Sequence, residues 1–204
     1  MKILTALAFA AALGVGGAAR AQSIANPDPA AVRAGVYAVE PMHTRILFSV
    51  SHLGFTTWYG NFTGASGALT LDPGAPAASQ VSVSVPTASI STTNAKLDDE
   101  LKGGEWFDAA RFPTITFKSE RVIPTGSGQA DVTGELTLHG VTRPVTLKAR
   151  FNGAGMNPLS HAYTVGFEAT GRIKRSEFGV TKYVPMVGNE VDLIISAAFE
   201  RKAG

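Results

Sequence analysis

The sequence predicts an all-β protein, an antiparallel barrel of about eight strands interrupted by one short helix. Three observations carry that expectation. Apolar residues recur with a period of two through most of the chain from Val36 to Phe199. Several of the alternating runs are too long for a flat sheet, and closing them into a barrel removes the exposed edges. Helical spacing is convincing at one place after the N-terminal segment, where Leu97 and Leu101 stand four apart. A two-sheet sandwich is the competing arrangement; strand length favours the barrel. Gly60, Gly64, Gly67, Gly134, Gly166 and Gly171 lie in or beside strands, where they allow sharp coiling.

In chain order, residues 1–21 have the form of a secretory signal. Lys2 supplies a positive start, Ile3 to Ala19 is mostly small and apolar, and Ala19-Arg20-Ala21 is a small-x-small cleavage site. The expected location is therefore the periplasm. Residues 22–34, with Pro27 and Pro29, read as a flexible leader, and residues 35–202 as one domain. Val36 to Val39 is a short strand ended by Pro41, which lacks the ladder N–H. Thr44 to Leu53 alternates with Ile46, Phe48, Val50 and His52 on one face. A second run, Phe62 to Leu71, completes a hairpin, with Trp58 and Tyr59 in the connection. Ser79 to Val85 points Val81, Val83 and Val85 one way before Pro86 ends it.

The helix follows. One of Ser91, Thr92, Thr93 or Asn94 caps it, and Gly103-Gly104 stops it. Leu97 and Leu101 are expected to face the barrel, with Asp98 and Glu100 nearer its rim. Strands resume at Phe112-Pro113 with Ile115 and Phe117 inward. Val132, Leu136 and Leu138 share the face of the next strand. His139-Gly140 turns the chain into Val145, Leu147, Ala149 and Phe151, and Gly153 to Pro158 reads as a long loop. Tyr163, Val165, Phe167, Ala169 and Ile173 form one more strand, and Val191, Leu193, Ile195, Ala197 and Phe199 the last.

Charge and composition narrow the functions. The chain has 18 basic and 16 acidic residues; loss of Lys2 and Arg20 with the signal would leave 16 of each. No broad basic patch is evident, so nucleic acid is not an expected partner. Cysteine is absent, which excludes thiol catalysis, thiolate metal sites and disulfides. The four histidines show no His-Glu-x-x-His spacing, and no Gly-x-Ser-x-Gly is present. No catalytic residue, metal or required cofactor is therefore expected. The inward face of the strands is apolar: Phe48, Val50, Val83, Ile115, Phe117, Leu136, Leu147, Phe167, Leu193 and Ile195. Such a lining either packs a solid core or encloses a hydrocarbon chain, whose transfer from water is worth about 0.8 kcal/mol per CH₂. His52 shares this face, so it is either a satisfied core histidine or a contact to a ligand's polar end. Trp58, Tyr59, Trp106 and Phe107 could cover a barrel mouth, close the base of the core or meet a second subunit.

The order of several short motifs resembles the YceI-like family of periplasmic polyisoprenoid-binding proteins. They are Tyr37, His43, Phe48, His52-Leu53-Gly54, Gly60 and Phe62; then Ser89-Ile90, Thr92, Asp98, Leu101 and Phe107-Asp108. Phe112-Pro113, Ile115, Phe117 and Ser119 follow, then Leu136 to Thr142, Arg175, Phe178-Gly179 and Val187 to Val191. The likeness spans roughly Val36 to Lys202. It implies an extended, lipocalin-like eight-stranded barrel with a helical insert. It also implies a bound polyisoprenoid, isoprenoid quinone or fatty amphiphile, and Trp58, His52, Asp98 and Glu100 join the inward apolar residues as expected contacts to it. A homodimer and transient membrane contact are compatible with it. One departure stands out. Relatives often read Arg-Asp-x-His-Leu in the helix; here the residues are Leu97, Asp98, Asp99, Glu100 and Leu101.

Overall fold

The structure, a computed structural model, describes residues 24–202. The secretory signal expected at residues 1–21 lies outside the described residues. Ten strands form a single antiparallel sheet: β1 (Gly35–Val39), β2 (Arg45–His52), β3 (Thr56–Phe62), β4 (Ser66–Leu71), β5 (Gln80–Pro86), β6 (Thr114–Gly126), β7 (Gln129–Leu138), β8 (Val141–Met156), β9 (Tyr163–Lys174) and β10 (Val187–Arg201). Among the described residues one α-helix, α1 (Ala95–Lys102), interrupts them.

The sheet closes on itself in the order β1-β4-β5-β6-β7-β8-β9-β10 and back to β1. That is an eight-stranded barrel, in which each of the eight strands has a partner on both sides. The β2–β3 hairpin extends the same wall. β10 is long enough to pair with β1 through Phe199 and Arg201 and with β2 from Val187 to Ser196. β1 and β2 thus run as one line along β10, broken at Pro41. The break is held by the Glu40 carboxylate, which accepts from the Met42 and His43 amides and lies 2.6 Å from His43 Nδ1. Closure of so narrow a barrel needs close strand crossings. Gly67 and Gly134 supply them: a Cβ at either would collide with the backbone of the neighbouring strand, at Ser82 and Lys118 respectively.

Local chemistry explains most boundaries. Leu53 and Gly54 both take positive φ, and the Phe55 amide donates to His52 O, so the three residues Leu53 to Phe55 turn β2 into β3. His139-Gly140 repeats the device between β7 and β8. Asn94 caps α1 by accepting from the Leu97 amide, and Lys102 sits in its last turn.

Two expectations are corrected. Trp58 and Tyr59 are not in a connection but in β3, because the tight turn at Leu53-Gly54 restarts the ladder at Thr56. Gly153 to Met156 is not loop but the end of β8, paired with β9 after a bulge between Phe151 and Gly153. The segment before β1 lies against the barrel: Asn26 pairs with Ala154, Arg33 stacks 4.4 Å from the Tyr163 ring centroid, and Tyr37 donates its hydroxyl to Arg33 O.

Candidate functional site

The barrel is not filled. Its interior holds two cavities of about 430 and about 550 Å³. They lie toward opposite ends of β7: the larger touches Gln129 and Ala130, the smaller Leu138. Ile46, Val85, Ile115, Leu136 and Leu193 belong to the walls of both. The cavities therefore abut at a waist of five aliphatic side chains.

The smaller lobe lies under α1. Phe48, Val50, His52 and Trp58 line one wall, and Ile115, Leu136 and Leu193 others. Leu97 and Leu101 come from the helix, so its apolar side does face the barrel. Phe48, Phe62 and Phe107 form a ring series with centroids 5.7 and 5.6 Å apart. Gly60 permits it, because a Cβ there would run into the Phe48 ring. The larger lobe collects Val83, Phe117, Leu147, Phe167 and Ile195, with Asp28, Pro29, Ala30 and Val32 of the leading segment at its end. Here Phe151, Phe167 and Phe199 make a second series, at 5.6 and 6.2 Å.

Polar groups gather at the mouth of the smaller lobe. Glu100 accepts from the Trp106 indole N–H at 3.1 Å and stands 3.6 Å from Lys182 Nζ. Lys182 in turn contacts Glu105 at 2.6 Å, and that hydrogen bond holds the ammonium's pKa above its usual value. His52 meets Trp58 edge-on, 5.8 Å between ring centroids, and turns toward the lobe. Asp98 is elsewhere. It is the one sequence-expected residue outside both linings. Its carboxylate accepts from the Thr92 amide and hydroxyl, both at 2.6 Å, and these bonds hold its pKa below the ordinary carboxylate value. Asp98 ties the entry of α1 to the wall, because a one-turn reach from the helix leads back to Thr92 rather than into the lumen.

Arg175, one of the motif residues of the family resemblance, was not among the expected site residues. It is 5% exposed and belongs to the wall of the smaller lobe. Its Nε, Nη1 and Nη2 donate to Gly188 O, Val180 O and Val187 O at 2.8, 2.9 and 2.8 Å. The guanidinium carbon is 5.4 Å from the Trp106 ring centroid. Burial lowers its pKa, but guanidinium stays charged at neutral pH. One side chain thus fastens the irregular segment 180–186 to the start of β10, and Val180 and Tyr183 of that segment complete the lobe. Trp106, Val180 and Tyr183 lie in non-repetitive chain, where periodicity has nothing to report. Val191 and Phe199 also line the lumen and share the parity of Leu193, so they were legible.

The remaining histidines are apart from one another. His43 pairs with Glu40, and His139 lies 3.2 Å from Phe178 O. Among the described residues no group of three or more His, Cys, Asp or Glu is placed to hold a metal ion.

Comparison with known proteins agrees with this architecture. Residues 37–199 match the YceI-like domain. The chain belongs to the YceI-like family. A UPF0312 protein of Azotobacter vinelandii is 37% identical over 196 residues, which cover 96% of this chain and 95% of the relative. A UPF0312 protein of Yersinia pestis is 41% identical over 77% of this chain and 81% of its own length. Among solved structures, BcnA of Burkholderia cenocepacia superposes with a TM-score of 0.69 at 26% identity, covering 76% of this chain and 95% of BcnA. A polyisoprenoid binding domain from Saccharophagus degradans, implicated in plant cell wall breakdown, shares the fold at a TM-score of 0.63 and 13% identity, over 83% of this chain and all of that one. The YceI-like barrel of this chain thus has the two-lobed interior described above.

Proposed function

We propose that this protein binds a polyisoprenoid or similar long-chain amphiphile in the barrel lumen and carries or stores it in the periplasm. The observation that carries the reading is the pair of abutting apolar lobes with a shared aliphatic waist. An apolar cavity of about 150 Å³ accepts benzene. On that scale the lobes of 430 and 550 Å³ have room for about 17 and about 22 carbons. One long hydrocarbon chain threaded through the waist would occupy both. The description of the Saccharophagus relative as polyisoprenoid-binding supports the ligand class. The N-terminal export pattern supports the compartment.

The ligand's polar end belongs at the smaller lobe, where His52, Trp58 and Glu100 stand at or near the mouth. We read the protein as a binder rather than a catalyst, with no cofactor beyond the lipid itself. In support, His52, the histidine that faces the lumen, is placed beside an indole and not beside a carboxylate. The test is organic extraction of purified protein followed by mass spectrometry, then reloading of the delipidated protein. A stoichiometric long-chain lipid is expected. An empty extract, together with no uptake of isoprenoid alcohols, quinones or fatty acids, refutes the proposal.

A further inference from the structure

Five large apolar side chains are exposed around the mouth of the smaller lobe: Phe55 (86%), Tyr59 (63%), Met186 (58%), Tyr183 (49%) and Leu53 (48%). They come from two segments that are physically joined. The Leu53 amide donates to Met186 O at 2.8 Å, and the Val187 amide to Tyr183 O at 2.7 Å. Val187 pairs with His52 at the base of the β2–β3 turn. Tyr59 and Tyr183 also line the lobe, and Tyr183 rests on Trp106 with ring centroids 6.1 Å apart. The apolar patch is therefore continuous with the lumen through its own opening.

We propose that this rim is a membrane-docking surface, seated on a lipid bilayer while cargo passes between bilayer and barrel. The inference rests on the lipid-binding reading. Three arguments select a bilayer as the occupant. A stable copy-to-copy interface needs roughly 800 Å² and 20–30 residues per partner; five side chains on one hairpin and one loop fall short of that. Their chemistry is that of a membrane boundary: tyrosines suit the head-group level, and Phe, Leu and Met the outer acyl region. Lys182 lies against two carboxylates, Glu100 and Glu105, so this cluster leaves no excess positive charge for an anionic surface, and a zwitterionic bilayer is the complementary one. Cargo with a long hydrocarbon tail loses about 0.8 kcal/mol per CH₂ exposed to water. A mouth sealed against the bilayer spares it that exposure.

The experiment is flotation of the protein with phosphatidylcholine vesicles, alongside the rate of lipid transfer from those vesicles to delipidated protein. The wild type is expected to co-float. Raising salt from about 0.1 to about 1 M, which shortens charge screening from ~10 to ~3 Å, should leave flotation intact. Leu53→Ser combined with Phe55→Ser should weaken vesicle binding and slow transfer at least about tenfold. Neither residue lines the lumen, so the final lipid load should not change. Ile194→Ser, at a position 51% exposed on the outer wall of β10, serves as the control and should leave flotation unchanged. Wild-type protein that does not co-float, or a double variant that floats and transfers like the wild type, overturns the proposal. So does a wild-type dimer that Phe55→Ser dissociates, because the rim would then be an interface between copies. If the wild type floats yet never takes up lipid, the docking surface stands and the cargo reading fails.

Discussion

Leu193 stands at the waist, in the wall of both lobes, and Leu193→Trp should divide the lumen. Its cross-strand neighbours are Phe48 on β2 and Gly171 on β9, so a larger ring has cavity on either side to enter. Each isoprene unit buries five carbons, worth roughly 4 kcal/mol at full transfer from water. Ordering and association costs consume much of this. If one third survives, each unit strengthens binding about tenfold. In the wild type, affinity should therefore climb with chain length until about 40 carbons fill both lobes. In Leu193→Trp it should level off near the capacity of one lobe, about 17 carbons. A 15-carbon isoprenol should bind within about threefold of wild type, and a 40-carbon one at least about 100-fold more weakly. The assay is a series of dissociation constants across chain lengths on delipidated protein, with a denaturant melt to set aside overpacking, which costs roughly 1–3 kcal/mol in a full core. Equal losses for short and long chains, or none for either, would refute a continuous two-lobed tunnel.

Four further outcomes follow from the same geometry. Phe117→Ala should cost clearly less than the roughly 3–5 kcal/mol of a packed phenylalanine, because its ring already borders the larger lobe, and lipid retention should fall; denaturant melts and extraction measure both. Arg175→Met should destabilise by roughly 3–5 kcal/mol in the same melts, since it strands the carbonyls of Val180, Val187 and Gly188. Glu100→Gln should raise affinity for a fatty acid more than for a neutral isoprenoid of equal length, read from paired dissociation constants at neutral pH; equal changes would place the head group elsewhere. The Asp98 carboxyl has a folded pKa below its unfolded value near 3.8, so its contribution is complete above that value and is lost as pH falls through the folded pKa. Thr92→Val should lower neutral-pH stability by roughly 1.5 kcal/mol and flatten this acid-side loss, measured as melts across pH 2 to 5.

The strand faces were legible because residue parity is a local property. Ile46, Phe48, Val50 and His52 had to share a side once their backbone was extended, and the same holds for Leu193 and Ile195. The helix was legible in the same way, from the spacing of Leu97 and Leu101 and the stop at Gly103. Parity does not say where a ladder begins. Trp58 and Tyr59 belong to β3 because Leu53 accepts a left-handed conformation, which a non-glycine residue rarely does. Nor does parity separate a filled barrel from a hollow one, since the same apolar faces serve both. That depends on how far apart the walls stand, which the number of strands and their closure through β1 and β10 decide. The closing wall itself lay beyond any local reading. Arg175, Val180 and Tyr183 reach the lumen through hydrogen bonds and ring contacts across the chain, around Trp106, which the sequence could name as a candidate cover but not place; such contacts exist only once the barrel has formed.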